Sequence, residues 1–333
     1  MLLINPAQER FGGFLSRYVP VGIPVAIGCL AAALTKHGVP VRVLDEELVT
    51  IIPSVLRERV RGLERPYLFG LSCLTAHVGR AYALAAMLKA EFPDSTVIAG
   101  GLHPTALPEE ALATGHINYV VRGEGEAVLC ALHDAIRMGA DPAALRGVSF
   151  RRDGQVIHTP EAPLIPDLDA IPIFPYELFD HPKYDMGFVT SSRGCPFKCT
   201  YCSQRMLTGT TYRYKSAARI VEELDLLINR YKQTQIVFYD DNFCFKPKRV
   251  IEVCEAIRAA GLHRKCAFSI QTRADNFPED LVPHLAAAGF KHAGFGMETG
   301  VNRLMRLIGK GETVERHLEA VALGKRHGFE LSL

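Results

Sequence analysis

The stretch Ser191-Ser192-Arg193-Gly194-Cys195-Pro196-Phe197-Lys198-Cys199-Thr200-Tyr201-Cys202 organises the chain. It sets three thiols in one short loop with C-x3-C-x2-C spacing, close enough to serve one metal centre. Soft sulfur ligands select zinc, copper(I) or iron–sulfur. A structural zinc site closes itself with four protein ligands, whereas this loop offers three, with no second CxxC and no nearby histidine pair. Three cysteines on a four-iron cluster leave one iron uncovered, free to bind a substrate or cofactor. A three-ligand remnant of a zinc ribbon and three ordinary buried cysteines are the competing readings.

The loop closely resembles the signature of the radical S-adenosylmethionine (radical SAM) superfamily, C-x3-C-x-aromatic-C after the first strand of a βα barrel. Tyr201 fills the aromatic position, and Phe188-Val189-Thr190 reads as that strand. The resemblance implies a [4Fe–4S] cluster held by Cys195, Cys199 and Cys202. Its open iron would be chelated by the amino and carboxylate groups of S-adenosylmethionine (SAM). Reduction of SAM there would yield methionine and a 5′-deoxyadenosyl radical, with an external one-electron reductant of flavodoxin or ferredoxin type.

At 333 residues the chain is long enough for two domains, each able to bury its own core. Its 48% apolar and 22% charged residues are ordinary for a soluble protein. A formal net charge of +2, without a Lys/Arg block, points to neither a nucleic-acid nor an anionic-membrane partner. Cys29, Cys73, Cys130, Cys244, Cys254 and Cys266 are scattered through apolar segments and read as small buried hydrophobes. Such cysteine use fits a reducing cytoplasm. Residues 19–34 are almost uncharged, but the segment is too short to span a membrane and contains Pro20 and Pro24. It reads as the first helix of a doubly wound domain, and no targeting segment or membrane span remains.

In the first half, residues 1–4, 41–44, 67–72, 96–99 and 119–121 read as strands. Residues 24–37, 49–63, 78–92 and 108–114 read as the intervening helices, with a further helix opened by Gly123-Glu124-Gly125-Glu126 and running to Met138. Alternating βα units with short connections predict an open parallel sheet covered on both faces. Ligands of such sheets bind beyond the carboxyl ends of the strands. That rule selects Asn5, Ser72 to His77, Gly100 to Thr105, and Arg122 to Glu126. Glycines there let the backbone approach a bulky flat ligand. No GxGxxG follows the first strand, which disfavours a nicotinamide or flavin dinucleotide.

The order of these pieces resembles the cobalamin-binding domain fused to the front of one large radical SAM class. Gly100-Gly101-Leu102-His103-Pro104-Thr105 and Arg122-Gly123-Glu124-Gly125-Glu126 carry the match. The D-x-H-x-x-G motif, whose His would replace cobalt's lower ligand, is absent. The resemblance makes Asn5, Ser72, His77, Gly100, Gly101, His103, Gly123 and Glu124 candidate cobalamin contacts. His77 sits where the lower face of a corrin could lie; alternatively it is a helix-start histidine facing solvent. His103 is expected to shape its turn or touch the corrin edge.

Residues 147–183 change texture. Two short apolar runs around Asp153-Gly154 suggest a hairpin, and Pro160, Pro163, Pro166, Pro172 and Pro175 mark an extended connection. The expected organisation is therefore α/β throughout. A doubly wound, Rossmann-like cobalamin-binding domain over 1–146 leads through a linker over 147–183 to a partial (βα)6 radical SAM barrel over 184–333.

In that second half, strands are expected at 236–239, 266–271, 292–296 and 329–333. Helices are expected along the apolar stripe Ile220 to Tyr231, from Pro247, from Pro278 to Gly289, and over 313–327. Repeated βα units place functional groups at the strands' carboxyl ends, which selects Asp240, Asp241, Asn242, Gln271, Arg273, Glu298 and Thr299. Asp240 or Asp241 could accept from the SAM ammonium and Arg273 could pair with its carboxylate. The resemblance places Asp241 at the amino group and Glu298 near the ribose and methionine part, and makes Tyr201 and Gln271 further SAM contacts. Their alternative is solvated loop charge; Cys244 reads as packing. The chain stops at Leu333 inside an apolar strand, whereas family barrels have six strands, so a piece of a longer chain is expected.

The function so implied is a cobalamin-dependent radical SAM enzyme, methylating an unactivated carbon of a small-molecule substrate. A ring-forming or oxidative cyclase of the same architecture is the nearest alternative. Methylthio transfer would need three further cysteines in a different front domain. From another class, a non-catalytic iron–sulfur electron carrier competes, and the polar residues at successive strand ends argue against it.

Overall fold

In the computed structural model, which describes residues 1–7 and 21–333, the apolar runs of the first half pair side by side. Their order is Arg42–Asp45, Leu2–Asn5, Leu68–Ser72, Thr96–Gly100 and Tyr119–Val121, all parallel. This is a doubly wound order that reverses between the first and third strands, where ligand crevices open in such sheets. Leu2, Leu3, Ile4, Phe69, Val97 and Ala99 are fully buried, as strands covered on both faces require.

The helices Val25–Lys36, Val78–Glu91 and Gly125–Met138 agree closely with the sequence reading; Val19 and Pro20 lie outside the described residues. The second helix is shorter, Pro53–Arg59 rather than 49–63. Pro53 holds Ile52 extended, at φ −127° and ψ 164°, so the helix begins at the proline.

The hairpin read as part of a linker is an edge of this sheet. Val148–Arg152 pairs antiparallel with Tyr119–Val121, and Gln155–His158 pairs with it in turn. Asp153 and Gly154 make the turn at φ 51° and 79°, the positive pair that a two-residue hairpin needs. The first compact unit accordingly comprises Met1–Ile165 and Ile171–Asp185. The later piece is held by Phe174, whose ring lies where a Cβ on Gly28 would be, 1.9 Å from that position. Phe174, Tyr176 and Phe179 pack together at centroid distances of 4.8 and 5.0 Å.

The second unit, Pro166–Ala170 with Met186–Leu333, is a five-stranded sheet in consecutive order. Its strands are Phe188–Val189, Gln235–Phe238, Ala267–Thr272, Phe290–Phe295 and Glu330–Ser332, all parallel. Helices Ala217–Asp225, Pro247–Ala259, Val282–Ala287 and Val314–Arg326 connect them. Consecutive parallel order is how a βα barrel is built. Ser216 caps the first helix by accepting from Arg219 N at 3.1 Å. The helix anticipated from Pro278 starts at Val282; Pro283, lacking an N–H, fits its first turn. Phe238, Phe243, Phe268 and Phe290 form the core under these strands, with ring centroids 4.8–5.9 Å apart.

Candidate functional site

The cysteine loop leaves the first strand of the second unit through Ser192–Arg193, which pairs antiparallel with Arg213–Tyr214. Gly194 then turns the chain at φ 85°, with a Thr211 carbonyl oxygen 2.4 Å from where a Cβ would be. Only glycine fits that approach. Beyond it Cys195 is half-buried, Cys199 buried and Cys202 exposed. A second anchor lies on the far side, where Thr200 N and Oγ1 donate to Ile308 O at 2.9 and 3.1 Å.

The paired carboxylates after the second strand hold this loop. Asp240, 5% exposed, accepts from Ser191 N at 2.6 Å, from Ser192 N at 3.1 Å and from the Ser191 hydroxyl. Buried Arg249 stands 3.9 Å from it and donates to Ser191 O at 3.0 Å. Asp241 keeps an exposed flank while its Oδ2 accepts from Gly194 N at 3.2 Å and Thr208 Oγ1 at 3.4 Å. Burial of the carboxyl pushes the Asp241 pKa up, the Gly194 N–H opposing this and the Asp240 charge adding to it. Asn242, fully buried, accepts from Thr272 Oγ1 at 2.8 Å and ties the second strand end to the third.

Gln271 is exposed at the end of the third strand. Arg273 is 5% exposed and turned under the cysteine loop. Glu298, after the fourth strand, stands in the left-handed region at φ 64°, a strained backbone of the kind found at ligand clamps. It is exposed, and its Oε1 accepts from Tyr201 Oη at 3.1 Å. Lys310, 6% exposed, donates from Nζ to Tyr201 Oη at 3.2 Å and lies 3.7 Å from Glu298 and 3.6 Å from Glu312. A Cβ on Gly296 would sit 2.8 Å from Glu298 Oε1, so a glycine makes room for this group. Burial first, then the Cys199 and Glu298 charges, push the Tyr201 phenol pKa up.

Cys199, Tyr201, Arg273 and Glu298 are thus joined through Lys310, Asp240 and Asp241 hold the residues that lead into Cys195, Cys202 closes the loop, and Gln271 stands on the neighbouring strand end. Sequence reasoning missed Arg249, Lys310 and Glu312. Arg249 sits in a helix where a basic residue looks solvated. The run Gly309-Lys310-Gly311-Glu312 carries a signal, two opposite charges interleaved with glycines.

The donor set can be tested against the metals it might take. Among the described residues no three His, Cys, Asp or Glu side chains converge to hold a single ion. A structural zinc site closes itself with four protein ligands, and this loop offers three. Cysteine thiolates are the ligands of an iron–sulfur cluster, so the three thiols of this loop fit a four-iron cluster with one iron left open. The remaining cysteines are of another kind: burial pushes Cys73, Cys244, Cys254 and Cys266 up to about 12.

In the first unit the strand ends also converge. Asn5 Nδ2 donates to Asp45 Oδ1 at 2.9 Å, and Tyr184 Oη to Asp45 Oδ2 at 2.6 Å. Beside half-buried Ser72, Cys73 N donates to Gly100 O at 2.8 Å. Gly101, at φ 97°, brings its backbone so close that a Cβ would lie 2.8 Å from Cys73 O. His103, 6% exposed, has Nδ1 3.1 Å from Thr75 Oγ1 and Nε2 3.2 Å from Glu110 Oε1, so it shapes its turn. Gly123 N donates to Thr105 Oγ1 at 3.1 Å, and buried Glu124 accepts from Ile165 N at 2.8 Å. His77 is 8% exposed rather than solvent-facing, and its Nδ1 has no hydrogen-bond partner among the described residues.

Comparison with known proteins follows the same division. The family model described as the radical SAM superfamily matches residues 189–333, and that described as B12 binding domain matches residues 14–133. An uncharacterized methyltransferase of Pyrococcus horikoshii is 31% identical over 336 residues, covering 99% of this chain and 72% of its own. The anaerobic magnesium-protoporphyrin IX monomethyl ester cyclase of Rubrivivax gelatinosus is 27% identical over 99% of this chain and 60% of its own. Among solved structures, the radical S-adenosylmethionine methyltransferase TsrM from Kitasatospora setae superposes with TM-score 0.83 at 20% identity, over 99% of this chain and 66% of that one. The cobalamin-dependent radical enzyme OxsB superposes equally, at 0.83 and 20%, over 48% of its length. The fold is shared, and the chain spans about half to three quarters of these proteins.

Proposed function

This chain belongs to the radical SAM superfamily, in the class with an N-terminal B12-binding domain, and from that premise we propose that it is a cobalamin-dependent enzyme transferring a methyl group to an unactivated carbon. The observation that carries the reading is the three-thiol loop at the carboxyl end of the first of five consecutive parallel strands. When bound, a [4Fe–4S] cluster supplies the electron that cleaves SAM to methionine and a 5′-deoxyadenosyl radical, and cobalamin supplies the methyl carrier. Cys195, Cys199 and Cys202 would hold the cluster. Asp240 and Asp241 fix the loop's first half, and Thr200 with Ile308 fixes its second. Tyr201, Glu298 and Gln271 line the SAM side, where the Tyr201–Glu298–Lys310 contacts set the direction of the phenol and the carboxylate.

In the first unit Asn5, Ser72, Gly100, Gly101 and Gly123 would supply the backbone against which a corrin is held, with His77 and His103 as further contacts. Glu124 holds Ile165 and supports that backbone. Radical chemistry requires that the small-molecule substrate be kept from water. A flavodoxin or ferredoxin supplies the electron. No helix among the described residues is long and apolar enough to cross a membrane, and the use of nine cysteines without a disulfide scaffold fits the cytoplasm.

The test is anaerobic incubation of the reconstituted protein with SAM, cobalamin and dithionite. Methionine and 5′-deoxyadenosine should appear in equal amounts; failure to bind SAM would leave an electron carrier. The relatives named as cyclases favour one second reading, ring formation on the same scaffold. Isotope from S-methyl-labelled SAM appears in the product for methyl transfer and not for cyclisation.

A further inference from the structure

Arg273 follows the third strand, where a guanidinium invites the assignment of a partner for the SAM carboxylate. Its donors are already engaged. Nε and Nη2 form a two-pronged pair with Asp275, at 2.9 and 2.8 Å. Nη1 donates to Lys310 O at 2.8 Å and reaches Cys199 Sγ at 4.0 Å, within range of an N–H···S hydrogen bond. The remaining Nη2 proton is left the Glu312 side, where Oε2 stands 3.8 Å away. That carboxylate is itself buried; its Oε1 accepts from Asp275 N at 3.1 Å, and Lys310 and His317 each lie 3.6 Å from Oε2. The guanidinium carbon lies 3.6 Å from the ring centroid of Phe197, the residue midway between Cys195 and Cys199. An arginine so forked and stacked has one orientation, and a ligand carboxylate would have to displace Asp275 to reach it.

We propose that Arg273 is a positioning residue of the cysteine loop, stacking on Phe197 and donating an N–H to the Cys199 sulfur, and that it thereby sets the reduction potential of the cluster instead of binding SAM. The proposal rests on the iron–sulfur reading given above. Hydrogen bonds to ligand sulfurs are among the main determinants of cluster potential, because they stabilise the more negative reduced state. A cation held against the loop acts in the same direction. Asp275, half-buried, and Glu312, buried, keep the guanidinium from rotating away, which accounts for two carboxylates beside a centre that must accept an electron.

The experiment is an anaerobic redox titration of the reconstituted protein without SAM, followed by electron paramagnetic resonance. It is run on the wild type, Arg273→Met, Arg273→Lys and Phe197→Leu. Iron per chain and the SAM dissociation constant are measured on the same samples. Arg273→Met should move the reduction equilibrium about tenfold toward the oxidised state, ~59 mV for one electron. Arg273→Lys, keeping the charge without the fork, and Phe197→Leu, loosening the stack, should each move it part of the way. SAM affinity should change less than threefold. A midpoint unmoved in all three variants overturns the proposal, as does a tenfold loss of SAM affinity at an unchanged midpoint. Should Arg273→Met fail to hold iron, the other two variants decide. A wild type without a four-iron signal overturns the cluster reading itself, an outcome read before any variant is compared.

Discussion

Replacing Asp240 tests whether the carboxylate pair after the second strand is an anchor of the cysteine loop. Its side chain is 0% exposed and 3.9 Å from Arg249, which is 3% exposed. Asp240→Ala orphans the Ser191 and Ser192 N–H groups and leaves the Arg249 charge facing no carboxylate. Removing one partner of a buried ion pair costs about 3–5 kcal/mol, and a buried orphan donor about 1–3 kcal/mol. These terms share partners and do not add, so roughly 4–6 kcal/mol is expected for Asp240→Ala. Asp240→Asn keeps one oxygen acceptor and the volume, and should cost about 2–3 kcal/mol. The protein has no Trp, so urea unfolding is followed by far-UV circular dichroism. Because the lost contacts lie three and four residues before Cys195, Asp240→Asn should also retain less than half of the wild-type iron after reconstitution. An Asp240→Asn protein with the wild-type urea midpoint and full iron would refute the anchor.

Three further outcomes follow from the same structure. Gly194→Ala forces a Cβ to within 2.4 Å of Thr211 O at φ 85°, so iron retention should fall at least twofold while cobalamin retention is unchanged; full iron retention would contradict this. Phe290→Ala empties the centre of the four-ring core and should cost about 3–5 kcal/mol, read from the urea midpoint; a loss under ~1 kcal/mol would show that the core collapses around it. Burial lowers the His77 pKa below 6.5, with Glu47 opposing, so the unfolded chain takes up a proton first as pH falls. The corresponding stability is present above about 6.5 and is lost as pH falls toward the folded pKa, by at most about 1.4 kcal/mol per pH unit. Thermal midpoints of cobalamin-free protein between pH 7.5 and 5.0 should fall less steeply in His77→Gln than in wild type; identical slopes would exclude His77.

The parts of the fold that could be read in the sequence are those set by local pattern. Apolar runs of strand length alternating with helical stripes give the parallel order of both sheets, because a βα unit has few ways to pack. What could not be read depends on distant partners. Nothing local in residues 171–185 shows that Phe174 fills the space beside Gly28, or that Tyr184 reaches Asp45 across 139 positions. The hairpin was legible as a hairpin, but its pairing with Tyr119–Val121 depends on an open sheet edge that no single segment displays.

The site divides in the same way. Cys195, Cys199, Cys202 and Tyr201 are neighbours in sequence, so their spacing reveals them. Asp240 and Asp241 were locatable at a strand end, yet their partners Ser191, Ser192, Gly194 and Thr208 come from another segment and determine what the carboxylates do. Arg273 shows the difference most clearly: position suggests a free cation at a ligand site, and packing gives it Asp275, Lys310 O, Cys199 and Phe197. Lys310 reaches Tyr201 of the loop from a segment that follows Ile308, to which Thr200 is tied.

A cobalamin-dependent radical enzyme must carry a cluster in one unit and a corrin in the other at once. Anaerobic reconstitution with iron, sulfide and hydroxocobalamin, followed by desalting, metal analysis and an optical spectrum, measures this directly. Four irons and one cobalt per chain, with the spectra of a [4Fe–4S] cluster and a bound corrin, are the expected result. A single zinc or two irons would contradict the reading of the cysteine loop, and four irons without cobalt would contradict methyl transfer.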